Sequence, residues 1–195
     1  MGKIYYMMGK SSSGKDTIYK ELLERMPTLG TLILYTTRPK RDGEQNGVEY
    51  FFISDEEMEN FRREGKIIEL RTYHTVYGDW KYATIDDGQM NLDDSDYLMI
   101  GTLESYCKTK AYYGEEHLIP IYIEVEDGER LLRAIKREQQ QETPGYAEVC
   151  RRFLADQQDF SEDHLREAGI TKRYNNDDKI RCIEEIIGEI QHGKL

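Results

Sequence analysis

The stretch GKSSSGKDT, Gly9 to Thr17, is the part of the chain whose residue types and spacing most directly specify chemistry. Gly9, Gly14 and Lys15 satisfy G-x-x-x-x-G-K, the spacing of a phosphate-binding loop. Lys10, Ser11, Ser12 and Ser13 fill that loop. Their backbone N–H groups can converge on phosphate oxygens while the following helix directs its positive end at the same anion. Lys15 adds a full positive charge for the β- and γ-phosphates. The next position departs from the motif, because Asp16 stands where a magnesium-binding hydroxyl is usual and Thr17 follows one residue later. A carboxylate and a hydroxyl are both hard oxygen donors, so Asp16 and Thr17 are candidate magnesium ligands. The alternative for Asp16 is an exposed carboxylate that complements a helix N-terminus.

A second set lies in TTRPKRDGEQNGVEYFF, 36 to 52. Arg38 and Arg41 are three residues apart, and Tyr50 follows. Two guanidinium forks and a phenol can hold one phosphate group from several sides. The loop and this segment therefore suggest two separate anion sites.

The elements needed to position them can be read coarsely. Runs of β-branched and aromatic residues occur at 3–8, 31–37, 97–101, 118–125 and 170–175. Helical spacing follows in Ile18, Leu22, Leu23 and Met26, in Leu131, Leu132 and Ile135, and in Ile180, Ile183, Ile186, Ile187 and Ile190. This alternation predicts an α/β fold whose parallel core sheet is covered by helices on both faces. From about 38 to 95 the pattern changes to short strand-like pieces, YFFI, KIIELRTYHT and KYATI, around one helix. Ser54 and Glu57 give that helix a capping box. The segment reads as a small mixed lobe inserted in a core made of 1–37 and 96–195, all in a single domain over 1–195. QQQETPGY, 139 to 146, reads as the tip of a lid over about 137–150.

Composition limits the partners. The 27 basic against 38 acidic residues give a net charge of −11, which argues against general attraction to nucleic acid or an anionic membrane. Cys107, Cys150 and Cys182 are widely spaced and read as reduced thiols. No apolar run approaches the roughly 18 residues of a membrane span. A cytoplasmic protein, monomeric or homodimeric, acting on small molecules is the expectation.

Taken together, the loop and TTRPKRDGEQNGVEYFF resemble the guanylate kinase family, whose acceptor signature is TTRxxRxGExxGxxYxF. Arg38, Arg41, Gly43, Glu44, Gly47, Tyr50 and Phe52 fall in register. The resemblance implies a P-loop NTPase-type core that transfers phosphoryl from ATP, with magnesium, to a nucleoside monophosphate, GMP to GDP first among them. It implies further roles in chain order. Glu69 would read guanine N1 and N2, and Tyr77 would be a second phosphate-binding tyrosine. Arg133, Arg137 and Arg152 would join Lys15 and Arg38 as the charges around the migrating group, and Asn176 would lie near the donor base. The pattern is broken at Leu34, Asp79, Gly101 and Thr102, where the family reads the base edge and supports the metal. An ionised Asp79 beside guanine O6 would set acceptor against acceptor, so that O6 needs a donor from Tyr35, Thr102, Lys81 or a water. These departures keep two alternatives open. One is the same fold acting on another nucleotide or on ribose 1,5-bisphosphate; the other is a non-catalytic module that binds phosphorylated partners.

Overall fold

The computed structural model of the chain describes residues 2–75 and 78–192. In chain order its elements are β1 (Ile4–Met8), α1 (Lys15–Arg25), β2 (Tyr35–Thr36), β3 (Phe51–Phe52), α2 (Asp55–Arg63), β4 (Ile67–Thr75) and β5 (Gly78–Ile85). There follow β6 (Tyr97–Ile100), α3 (Leu103–Tyr113), β7 (Leu118–Glu124), α4 (Asp127–Glu138), α5 (Tyr146–Asp159), α6 (Glu162–Glu167), β8 (Tyr174–Asn175) and α7 (Lys179–His192).

A parallel four-stranded sheet, ordered β6-β1-β7-β8, forms the core. β1 is apolar throughout because both faces of this sheet are covered. Side chains alternate across a strand, so Tyr5 and Met7 pack with Ile18 and Leu22 of α1 and with Cys182, Ile183 and Ile186 of α7. Ile4, Tyr6 and Met8 pack the other way, with Leu103 and Tyr106 of α3 and Leu165 of α6. Ile180 opens α7 on the exposed side.

The second sheet is mixed, ordered β3-β2-β5-β4, with β2 parallel to β3 and antiparallel to β5. Tyr35, Met58, Ala83 and Ile85 form its own core under α2. The capping box of α2 is present: the Glu57 N–H donates to Ser54 Oγ, and the Ser54 N–H donates back to Glu57 Oε2.

Two expectations change. The 31–37 run is not a core strand. Gly30 bridges Tyr97 at the edge of β6, but Gln89 then takes both backbone groups of Ile33, and only Tyr35–Thr36 forms a ladder, in the second sheet. The buried side of α4 is formed by Arg130 and Ala134, while Leu132 is exposed. Arg130 can be buried because its charge is matched by Asp127, one turn back on α4, and by Asp156 of α5.

Candidate active site

The loop from Gly9 to Gly14 joins β1 to α1 at the carboxyl end of the core strands, where α/β sheets commonly bind ligands. Gly14 caps α1 at φ 86°, and a Cβ there would lie 2.4 Å from the Asn176 amide nitrogen. Ser12 is also left-handed, at φ 62°, an uncommon state for a residue other than glycine. This path leaves the N–H groups of Ser12, Gly14, Lys15 and Asp16 without acceptors among the described residues. Together with Lys15, which pairs with Asp16 at 3.7 Å, they have the geometry to hold an anion at a helix N-terminus.

The loop is strapped to the α4–α5 pair through residues the sequence did not single out. Arg130, 2 % exposed, donates from Nη1 to the Ser11 carbonyl at 2.9 Å and to Asp156 Oδ2 at 3.3 Å. Its Nε and Nη2 donate to Asp127 at 3.0 and 2.6 Å, and its guanidinium lies 4.9 Å from the centre of the Phe153 ring. The Ser11 N–H donates to Asp156 Oδ2 at 2.8 Å, and Lys10 Nζ donates to Gln157 Oε1 at 2.7 Å. Burial pushes the Asp127 carboxyl up, but hydrogen bonds from Gln157 and Arg130 outweigh it and hold the group below its ordinary range. The one local sign of this network is the Asp127–Arg130 spacing of i,i+3.

Between the loop and the α4–α5 pair lies a cavity of about 300 Å³ whose lining includes Ser11, Ser12, Arg137, Glu148, Arg152 and Phe153. It brings two of the three helical arginines to the loop. Arg152 donates to Glu148 Oε1 at 2.6 Å and Arg151 donates to both oxygens, and these bonds hold the Glu148 carboxyl down at about 2. Arg133 is engaged elsewhere, with Glu129 at 3.0 Å and the Asn176 carbonyl at 3.1 Å. Asn176 is buried and donates to the Ser13 carbonyl at 2.7 Å, so in this structure it braces the loop. Asp16 and Thr17 are exposed on α1, beside Lys20, Glu21 and Glu24. Their oxygens suit a hard cation held mainly by the phosphates of a bound nucleotide.

The second set is arranged around Arg38, which is 3 % exposed. Its fork donates to both carboxylate oxygens of Glu44, at 2.8 and 2.9 Å, and to the Pro39 carbonyl. The guanidinium also lies 5.5 and 5.3 Å from the centres of the Tyr50 and Phe52 rings. The Arg38 bonds, with one from the Arg41 N–H, hold the Glu44 carboxyl at about 2. Arg38 is thus committed to shaping this turn, and it is Arg41 that stands exposed. The Tyr50 ring packs edge-on against Tyr82, and Tyr82 against Tyr73. Asp79 is paired with His74 Nδ1 at 2.7 Å on the exposed part of the β4–β5 hairpin. Tyr77 lies outside the described residues.

Glu69 is 2 % exposed, against α3. Burial pushes its carboxyl up, with the charges of Arg71 and Lys108 opposing. A Cβ at Gly101 would fall 2.2 Å from the Tyr6 hydroxyl, so Tyr6 fills the place an acidic side chain would need there. The same burial pushes the Tyr6 phenol up to about 12.

The family model described as guanylate kinase matches residues 1–162. The guanylate kinase of Clostridioides difficile (strain 630) is 40 % identical over 86 residues, 44 % of this chain and 42 % of that protein. The guanylate kinase of Bacteroides thetaiotaomicron is 36 % identical over 119 residues, 60 % of this chain and 57 % of that one. The chain spans about half the length of the curated relatives it matches. The crystal structure of guanylate kinase from Anaplasma phagocytophilum superposes with a TM-score of 0.62 over 100 % of this chain and 87 % of that one, at 20 % identity, which is a likeness of fold. Among the described residues no helix is long and apolar enough to cross a membrane.

Proposed function

The chain belongs to the guanylate kinase family, and from this we propose that it transfers the γ-phosphoryl group of ATP to the phosphate of a nucleoside monophosphate, with GMP the first acceptor to consider. The observation that carries the reading is the cavity in which Arg137 and Arg152 face Ser11 and Ser12 of the phosphate loop. Phosphoryl transfer spreads charge over the migrating group, and a protein catalyses it by positioning and neutralising that charge. The loop amides and Lys15 hold the donor phosphates. Arg137 and Arg152 converge on the transferred group, Arg152 on leaving Glu148 and Arg133 on leaving Asn176. Asp16 and Thr17 would hold magnesium, which neutralises the donor phosphates when bound.

On the acceptor side, Arg41 and Tyr50, with Tyr77, hold the acceptor phosphate. Arg38 fixes Glu44, which in turn fixes the Arg41 backbone, so Arg38 acts mainly as a positioning residue. The acceptor phosphate is already an anionic nucleophile and needs no general base. Neither the cavity beside the loop nor the one beside Arg71 is lined by Lys15, Arg41 or Tyr50. In this reading the lobe carrying the second sheet closes on the core once the acceptor is seated, excluding water from the transfer.

A second reading, the same chemistry on another acceptor, is favoured by Leu34, which has no polar group to offer a base at a position where the family has a hydroxyl. The test is coupled ADP release over the common nucleoside monophosphates and ribose 1,5-bisphosphate. The highest kcat/KM with GMP supports the first reading, and a different best acceptor supports the second. ATP binding with no turnover on any acceptor overturns both and leaves a binding module.

A further inference from the structure

Glu69, Arg71 and Tyr73 are two residues apart on β4 and so share one face. Exposure falls inward along this row, from Tyr73 at 50 % through Arg71 at 21 % to Glu69 at 2 %. Arg71 and Tyr73 line a cavity of about 530 Å³ together with Thr102, Leu103 and Cys107 of the core. Beyond its inner end, both carboxylate oxygens of Glu69 are buried, with the Ser105 side chain beside them but no well-aligned hydrogen bond. Arg71 Nε is 2.7 Å from Glu69 Oε1, an ion contact. A buried carboxylate short of donors is a costly feature that points to a missing partner.

Two of the other donors considered for this face are occupied, since Tyr35 donates to Asp87 and Lys81 donates to Asp55 at 2.7 Å. The Thr102 hydroxyl accepts from the Ser105 N–H to cap α3 and lines the same cavity as Arg71, where it has a single O–H to offer against the charged fork of Arg71. The two terminal amino groups of Arg71 make no hydrogen bond with any described residue. Glu69 and Arg71 together therefore present two acceptors beside a fork of donors. The complementary ring edge carries two donors beside an acceptor, the order of the 2-amino group, N1–H and O6 in a 2-amino-6-oxopurine. Adenine sets a 6-amino donor where that edge needs an acceptor.

We propose that Arg71 is a specificity-determining residue that donates to the 6-oxo group of the acceptor nucleobase, beside Glu69, whose place at the ring N–H and the 2-amino group the family resemblance already implies. This rests on the reading of the protein as a nucleoside monophosphate kinase. Because Glu69 is enclosed against α3, seating the ring requires β4 to part from α3 by about the thickness of the ring.

The test is kcat/KM for GMP, IMP and AMP at saturating ATP, on the full chain, for the natural sequence, Arg71→Met and Arg71→Lys. GMP and IMP carry the 6-oxo group; AMP carries a 6-amino group. Arg71→Met is expected to lower kcat/KM for GMP and IMP by one common factor, about 10- to 100-fold, the size of one charge-assisted hydrogen bond lost from a buried site. The GMP-to-IMP ratio and the KM for ATP stay where they were, AMP changes by less than about 3-fold, and Arg71→Lys recovers part of the loss. Equal losses on all three acceptors, or no loss on GMP, overturn the assignment. Should Arg71→Met not fold, a preference of the natural protein for GMP over AMP below about 10-fold overturns it as well. If the natural protein turns over none of the three, the kinase reading itself fails. Calorimetric binding of GMP and AMP then decides the Arg71 assignment separately: weakening by Arg71→Met confined to GMP supports it, and any other pattern refutes it.

Discussion

Replacing Arg130 with methionine keeps an apolar stem but removes the guanidinium that ties the Ser11 carbonyl of the phosphate loop to Asp127 and Asp156. The guanidinium is 2 % exposed and serves Asp127, Asp156 and the Ser11 carbonyl together. Asp127 is 41 % exposed and can return to water, whereas Asp156, at 13 %, keeps only the Ser11 N–H among these bonds. Removing one partner of a buried ion pair costs about 3–5 kcal/mol, and the rehydration of Asp127 places this case near the lower end. A loss of about 3 kcal/mol corresponds to a fall in Tm of roughly 6–12 °C for a chain of this size. The assay is urea unfolding of the natural protein, Arg130→Met, Asp156→Asn and the double variant. The single losses should not add, with a coupling above about 1 kcal/mol. ATP affinity by calorimetry should also weaken by about 10-fold, since the backbone of Ser11 keeps only its N–H bond to Asp156 and loses the one at its carbonyl. A loss below about 1 kcal/mol, or strict additivity of the two substitutions, would refute the strapped-loop account.

Other perturbations separate stability from chemistry. Arg152 is 55 % exposed and, among the described residues, paired only with Glu148, so Arg152→Ala should change unfolding free energy by less than about 1 kcal/mol yet lower kcat by about 100-fold; a kcat within a few-fold of natural removes Arg152 from the transfer step. Gly101→Ala should destabilise by about 1–3 kcal/mol, because the new Cβ would fall 2.2 Å from the Tyr6 hydroxyl. Adding Tyr6→Phe should restore most of that loss, and a lack of rescue in thermal melts would place the strain elsewhere. Arg151 and Arg152 hold the Glu148 carboxyl at about 2, below the ordinary 4.5. A depressed acid contributes stability that is present above its unfolded value and lost as pH falls through the folded one. The Glu148 side-chain carboxyl resonance should therefore stay ionised down to about pH 3 and titrate below it; a midpoint near 4.5 would mean that the pairing is absent in solution.

Much of the architecture could be read from short-range pattern. The phosphate loop was visible because a strand, a glycine-spaced turn and an amphipathic helix follow one another within a short stretch, and the capping box of α2 needs only Ser54 and Glu57. What escaped depended on contacts between distant segments. Ile33 is withdrawn from any core ladder by Gln89, fifty-six positions away. Arg130 reads as one more charge on a helix face until Asp156 and Ser11 are brought to it from 26 and 119 positions away. The same holds at the site. Arg38 and Arg41 could be picked out together as phosphate ligands, but only the fold shows that Glu44 and two aromatic rings enclose the first and leave the second exposed. Asn176 braces the loop, and Arg71 gains meaning only beside the buried Glu69, since alternation along β4 says which residues share a face and not what that face meets.

The central claim is that the loop cavity and the acceptor lobe act together to move one phosphoryl group between nucleotides. Phosphorus NMR of ATP and GMP with the purified protein and magnesium follows that transfer directly. GDP and ADP should appear in equal amounts, with no inorganic phosphate and no loss of ATP when GMP is left out. Persistence of ATP beside GMP, or its conversion to ADP and inorganic phosphate, would contradict the account.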